Sequence, residues 1–356
     1  MVKIIKPKMK NSFVLSRRKF IGTSLLASTG LAVGAQSAIG MPAIIKNLKT
    51  ADSLINGVQI GVITYSFRSM PDQSAEATLK YIIDCGISAV ELMGGPAESF
   101  AGMPENPVDR RTFWGLSRKA RNGDDITDEE KKQLDEMRAK MESYNKEVVV
   151  WRSSVSMDKF VEVKKMYADA GVSIYAFKPS AFSPRNSDAE IDYGFRAAKA
   201  LGTSHVTLEH PSNDERTKKL GTMAAKHKMY VGYHGHEQQT PTFWDTALQQ
   251  SAYNALNLDA GHYVAAGNPS VLDLVNAKHD KIKSMHIKDR QTPENGKKNL
   301  PWGEGDTPIV EMLKTMSSKK YSFPATIELE YKIPEGSDAV KEVKKCVEYC
   351  RTGLQS

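Results

Sequence analysis

From about residue 55 to residue 353 the chain alternates short apolar, β-prone runs with segments whose apolar residues recur at helical spacing. The runs are Val58–Thr64, Ala89–Met93, Val148–Trp151, Ile174–Phe177, His205–Glu209, Tyr230–His234, Leu256–Asp259, Ile282–Ile287 and Ala325–Glu330. Ser187-Asp188-Ala189-Glu190 is a capping box that opens a helix ending at Leu201, with Gly202 as its C-cap. A last helix starts near Ser337 and carries Val340, Val343, Val347 and Cys350 on one face. Such alternation predicts a parallel sheet with crossover helices. Nine runs are one more than a (β/α)8 barrel needs, and roughly 300 residues is a comfortable size for that barrel. Val148–Trp151 is the run left out, because it adjoins a long charged excursion over about residues 96–147; the alternative keeps it as third strand and drops Ile174–Phe177. Around it, Asp128–Asn145 and Met157–Ala170 read as helices, and Phe100–Asp125, with Pro104 and Pro107, reads as a surface loop or lid. A doubly wound sheet would follow its first strand with a glycine-rich phosphate loop. Here the first strand leads into Tyr65-Ser66-Phe67-Arg68 instead.

The first 45 residues stand apart from this pattern. Ser16-Arg17-Arg18-Lys19-Phe20-Ile21 matches a twin-arginine export signal, preceded by Lys3, Lys6, Lys8 and Lys10 and followed by an uncharged stretch of small residues. That stretch is too rich in Gly, Ser, Thr and Ala for a good membrane span, so the expectation is a cleaved leader, a periplasmic barrel over 52–356 and no lasting membrane insertion. The leader also accounts for the formal charge of +7, since its seven Lys and Arg, taken from 49, leave 42 basic against 42 acidic residues. A balanced domain lacks the basic footprint of a phosphate-tracking surface, which speaks against nucleic acid as a partner. Cys85, Cys346 and Cys350 are too few for a disulfide framework and read as packing residues.

In a barrel the C-terminal strand ends converge on one face, so residues remote in sequence share a site. Ionisable residues at or near those ends are Glu91, Lys178, Glu209, His210, His234, His236, Glu237, Asp259, His262, His286, Lys288, Asp289, Glu328 and Glu330. His205, His227 and His279 fall elsewhere and read as packing or surface residues. His234, Asp259, His286 and one of Glu328 or Glu330 lie on four consecutive strands. This mixed imidazole and carboxylate set suits a divalent transition ion with positions left open for substrate oxygens.

The stretches Leu258-Asp259-Ala260-Gly261-His262, Met285-His286-Ile287-Lys288-Asp289 and Ile327-Glu328-Leu329-Glu330 resemble the xylose isomerase-like barrels of sugar isomerases and epimerases, among them exported proteins of the sugar phosphate isomerase/epimerase type. The resemblance extends over the chain beyond the leader. It implies a (β/α)8 barrel, a bound Mn, Co or Zn ion, and Asp259, His286 and Glu328 as ligands. It places His262 against substrate oxygens, with Lys288 on the same face as His286. It also implies a Gly-rich closing loop at Pro301–Asp306, whose Trp302 either stacks on a sugar ring or packs the loop. The fourth ligand of the family is a glutamate in an E-N-H motif, whereas this chain has His234-Gly235-His236. His234 can complete the ion's shell but cannot double as a free carboxylate base. Glu209, His236, Glu237 and Glu330 are the nearest replacements, and Lys178 and Glu330 are further candidates for holding substrate.

The expected activity is therefore isomerisation or epimerisation of a keto- or aldo-sugar through an enediolate, with elimination or hydration of a keto-sugar as a variant on the same intermediate. Two rivals differ in class. An apurinic nuclease of similar fold would need more zinc ligands and a DNA-binding face. A periplasmic sugar-binding barrel without turnover would keep the ligands only to hold its carbohydrate. A homo-oligomer is compatible with all of these.

Overall fold

The computed structural model describes residues 52–356, and the expected leader, residues 1–45, lies outside them. Eight parallel strands form a closed barrel: β1 Val58–Ile63, β2 Ala89–Met93, β3 Ser173–Lys178, β4 His205–Glu209, β5 Tyr230–His234, β6 Asn254–Asp259, β7 Ile282–Ile287 and β8 Ala325–Ile327. Each pairs with its neighbour in sequence, and β8 pairs with β1 to close the ring. This is the (β/α)8 architecture expected from the alternation. Leu54–Ile55 adds a short antiparallel pairing to β1.

The outer helices bury one apolar face each against the barrel. Ser187 and Glu190 form the reciprocal capping box, and Gly202 ends that helix with φ 77°, a conformation that disfavours a side chain. The last helix, Ala339–Gln355, packs Val343, Cys346, Val347 and Cys350 inward, so those two cysteines are core residues, and Cys85 is buried too.

The segment between β2 and β3 departs from expectation in two places. Phe100–Asp125 is not a loop throughout, because Arg110–Asn122 is a helix capped by the Asp109 side chain at its start and by Gly123 at its end. The helix expected to end at Asn145 runs on to Ser154 and absorbs Val148–Trp151. Three β-branched residues in a row disfavour a helix locally. The segment is nonetheless anchored by its surroundings. Trp151 Nε1 donates to Ala101 O at 3.3 Å, the indole meets Tyr193 edge-on at 5.4 Å, and Arg152 makes a buried ion pair with Glu190. Leaving this run out of the barrel is thus right, and β3 lies where Ile174–Phe177 was read. At the other end of the chain β8 stops at Ile327, three residues short of Glu330.

Inside the barrel the lowest layer is polar rather than aliphatic. Tyr175 OH bonds Thr326 Oγ1 at 2.8 Å, and His205 bonds Ser204 and Ser284 at 2.8 and 2.9 Å. His205 is fully buried, as a packing residue rather than a surface one. Gly61 leaves the space that the Tyr175 ring fills, since a Cβ there would sit 2.8 Å from it.

Candidate metal and catalytic centre

Above that layer, strand register brings the ligand-type residues together. Asp259 stands opposite His286 across β6 and β7, His234 opposite Asn257 across β5 and β6, and Glu328 follows directly on β8. One nitrogen or oxygen from each of His234, Asp259, His286 and Glu328 lies within 4.8 Å of the other three, and all four residues are buried. His234 Nε2 is 3.7 Å from Asp259 Oδ2, and His286 Nδ1 is 2.9 Å from Glu328 Oε2. Asp259 ends its strand by capping the one-turn helix Ala260–Ala265: Oδ1 accepts the His262 N–H at 2.7 Å, while Oδ2 faces the cluster.

His286 is held from both edges. Nε2 lies 2.8 Å from Glu91 Oε2, opposite the edge that meets Glu328. Burial disfavours charge on the ring, but Glu91 and Glu328 outweigh it and raise the imidazole pKa to about 10. Glu91 is fully buried and also accepts from Thr207 Oγ1 at 2.7 Å and Asn257 Nδ2 at 3.1 Å. Burial pushes that carboxyl upward, yet the His286 charge and these bonds hold it below its usual range. Lys288 Nζ reaches Glu328, Glu330 and Asp259 at 2.6, 2.8 and 2.9 Å. Its ammonium is raised against the effect of burial by these carboxylates. Glu328 is held low despite burial, by Lys288 and then His286. For Asp259 burial wins over Lys288 and the pKa rises. Burial and the His286 charge keep His234 neutral.

The residues fit a divalent ion. His234 Nδ1 is buried without a hydrogen-bond partner, and Asp259 Oδ2 has the Lys288 ammonium at 2.9 Å. A nitrogen left so is costly in a closed interior unless something binds it. A His286 that donates Nε2–H to Glu91 keeps its Nδ1 lone pair for an ion, the arrangement that carboxylates commonly impose on ligating histidines.

A second trio, His234, His236 and His262, also gathers ring nitrogens within 4.8 Å. Here the chemistry points away from an ion. Arg290 Nη1 lies 2.6 Å from His262 Nδ1, and a guanidinium only donates, so Nδ1 is the bare nitrogen and Nε2 carries the proton. Burial and then Lys288 depress the pKa of His262 to about 2, which keeps the ring neutral. Nε2 has no hydrogen-bond partner and lies 3.8 Å from Glu330 Oε2.

Around the mouth, Lys178 pairs with Glu209 at 2.6 Å, and Glu209 Oε2 is 3.6 Å from His236 Nε2. Glu237 is bound by Arg290 at 2.7 Å and approached by Lys297 at 3.6 Å. Trp302 packs edge-on against Tyr349, 5.9 Å away. Its loop is clamped by Asp289, which accepts the N–H of Gly303, Gly305 and Thr307. Sequence reasoning named Glu91 without a role and missed Asn257, Thr207 and Arg290. Asn257 had a signal, because it lies two residues before Asp259 and shares its inward face. The Arg290 contact had none, because it spans 28 residues and depends on a loop path.

The sequence model of the Xylose isomerase-like TIM barrel matches residues 79–350. Among solved structures, the probable 3-DHS dehydratase of Bacillus anthracis involved in petrobactin synthesis aligns with a TM-score of 0.55 at 14% identity, over 82% of this chain and 97% of that one. A sugar phosphate isomerase/epimerase from Parabacteroides distasonis aligns at 0.52 and 17%, over 84% and 95%. The 3-keto-D-glucoside 4-epimerase of E. coli aligns at 0.53 and 11%, over 83% and 99%. At such identities the likeness is one of fold. No curated protein matches the chain by sequence.

Proposed function

The chain belongs to the xylose isomerase-like TIM barrel family, and from that premise we propose an enzyme that isomerises or epimerises a carbohydrate bearing a carbonyl beside a hydroxyl. Its divalent ion, Mn, Co or Zn, would be held by His234, Asp259, His286 and Glu328. The observation that carries the reading is the convergence of these four buried side chains from four consecutive strands within 4.8 Å. When bound, the ion supplies Lewis acidity to the two substrate oxygens and so acidifies the intervening C–H.

The remaining steps fall to the chain's own groups. Neutral His262, its tautomer set by Arg290, offers Nε2–H to the oxygen on which negative charge grows. Lys288 supplies fixed positive charge beside Glu328 and Glu330. Proton transfer needs groups that His234 cannot provide, and Glu237 is committed to Arg290. His236, paired with Glu209, removes the C–H proton. Glu330, at the Lys288 side of the mouth, enters the cycle as the carboxylic acid and donates its own proton to the neighbouring carbon or to the opposite face, while the abstracted proton leaves His236 to solvent. Elimination is the second reading, in which the fixed positive charge of Lys288 faces the oxygen of a departing hydroxyl. The twin-arginine stretch at Ser16–Ile21 would place this chemistry in the periplasm.

The test is turnover of a panel of keto- and aldo-sugars in D2O, with and without chelator. Expected are solvent deuterium on the product carbon, loss of turnover on chelation and its return with Mn²⁺, Co²⁺ or Zn²⁺. Turnover without deuterium uptake would remove the enediolate; turnover indifferent to chelation would remove the ion; sugar binding with no turnover on any substrate would leave a binding barrel.

A further inference from the structure

In (β/α)8 barrels the loops after the seventh and eighth strands often seat a substrate phosphate, with backbone N–H groups among the donors. The loop after β7 gathers such donors here. Gly303, Gly305 and Thr307 turn their N–H groups to one point, but the Asp289 carboxylate already fills it: Oδ2 accepts from Gly303 and Gly305 at 2.7 and 3.0 Å, and Oδ1 from Thr307 at 3.2 Å. The fit is close, since a Cβ on Gly305 would collide with Oδ1. Both chain neighbours of Asp289 tie this place to the proposed centre. Lys288 Nζ is 2.9 Å from Asp259 Oδ2 and 2.6 Å from Glu328 Oε2, and Arg290 meets His262 Nδ1 at 2.6 Å. After β8 the chain presents carboxylates instead of donors, Glu328 and Glu330, both on Lys288.

The cations on this wall have no charge to spare. Lys288 is shared among three carboxylates, Arg290 is bound by Glu237, and Lys178, at the end of β3, by Glu209. A phosphate or carboxylate brought against it would meet like charge and a nest already filled, which selects against an anionic ligand. Hydroxyls are served by the same groups, accepting from the unpartnered His262 Nε2–H and donating to Glu209. We propose that the substrate is an uncharged sugar bearing neither phosphate nor carboxylate, and that Asp289 sets this choice by standing as the protein's own anion where a substrate phosphate would sit. This rests on the reading of the centre as a carbohydrate site, but the two can fail separately. The counterweight is on the rim, where Arg68 and Lys332 are exposed and line, with Glu330, a cavity of about 250 Å³. Arg68, however, lies over the Tyr65 ring at 4.4 Å and donates to Leu329 O at 2.7 Å.

The first arm of the test titrates chelator-treated intact protein with millimolar inorganic phosphate and follows the ³¹P line. Expected is no saturable binding by the parent, and binding at least about tenfold tighter in Asp289→Gly and Asp289→Ser, which open the nest. Saturable binding by the parent overturns the proposal, as does a folded variant of either kind that gains none. Should both substitutions unfold the protein, the second arm decides. Each keto- or aldo-sugar that the ion-loaded parent turns over is offered again phosphorylated at its terminal carbon, with kcat/KM expected to fall about tenfold or more. A phosphate ester turned over better than its parent sugar overturns the proposal and leaves the enzyme standing, and loss of that advantage in Arg68→Met would name Arg68 as the anion's partner. A parent that excludes phosphate, gains it in the Asp289 variants and yet turns over no sugar fells the enzyme while the exclusion of anions by Asp289 stands.

Discussion

Glu91 reaches His286 from β2, at the opposite edge of the imidazole from Glu328, and its effect is on which nitrogen carries the proton. Glu91→Ala should weaken Mn²⁺ or Zn²⁺ binding by about 10- to 100-fold, as loss of such a partner typically does, while Glu91→Gln, which keeps an acceptor, should weaken it less. Titration calorimetry of the chelator-treated protein decides this. Arg290 acts on His262 in the same manner. Arg290→Met should lower kcat with little change in KM, and Arg290→Lys, which keeps a donor, should recover part of it. Long-range ¹H–¹⁵N spectra should show His262 protonated at Nε2 in the parent and a mixture of tautomers in the methionine variant. His205 makes a prediction about acid stability. Burial lowers its pKa to about 4 in the folded chain, against about 6.5 when unfolded, so the unfolded form takes up the proton first as pH falls. Stability should therefore drop by about 3 kcal/mol between about pH 6.5 and about pH 4 on this account, and His205→Gln should flatten that slope in urea unfolding.

Among the elements, the helix Asp128–Ser154 shows where local signals give out. Its start is written plainly, as a Thr127 and Glu130 capping box, but its end is not. Val148–Trp151 is as β-prone as β2, and only contacts with Tyr193, Ala101 and Glu190, all distant along the chain, settle it as helix. The barrel strands were legible for the opposite reason: each is a short apolar run between turn signals, although β8 ends three residues before its run does. The clustering of His234, Asp259, His286 and Glu328 was legible because strand ends in a parallel barrel share a face. Which nitrogen or oxygen each residue presents was not, since this depends on Glu91, Asn257 and Arg290 arriving from elsewhere. The pin at Arg152 is testable. Its guanidinium bonds Ser180 Oγ at 2.8 Å and makes a buried pair with Glu190, so Arg152→Met should cost about 3 kcal/mol and speed hydrogen exchange through the end of this helix.

For the whole molecule, the clustered charges would link folding to binding of the proposed ion. Glu91, Asp259 and Glu328 are buried around one imidazolium and one ammonium, and a divalent ion present at about 100 times its Kd should add about 2.7 kcal/mol to stability. The melting temperature should rise accordingly on adding Mn²⁺ or Zn²⁺ to chelator-treated protein and should not move in His286→Ala. The described ends of the barrel also meet: the Asn56 side chain donates to Leu354 O, and Ser317 Oγ bonds Asn56 O at 2.7 Å. A ring of staves whose ends touch has no privileged first stave. Joining those ends through a short flexible tether and reopening the chain within the exposed stretch 123–125 should therefore give a permuted protein that melts as one cooperative unit.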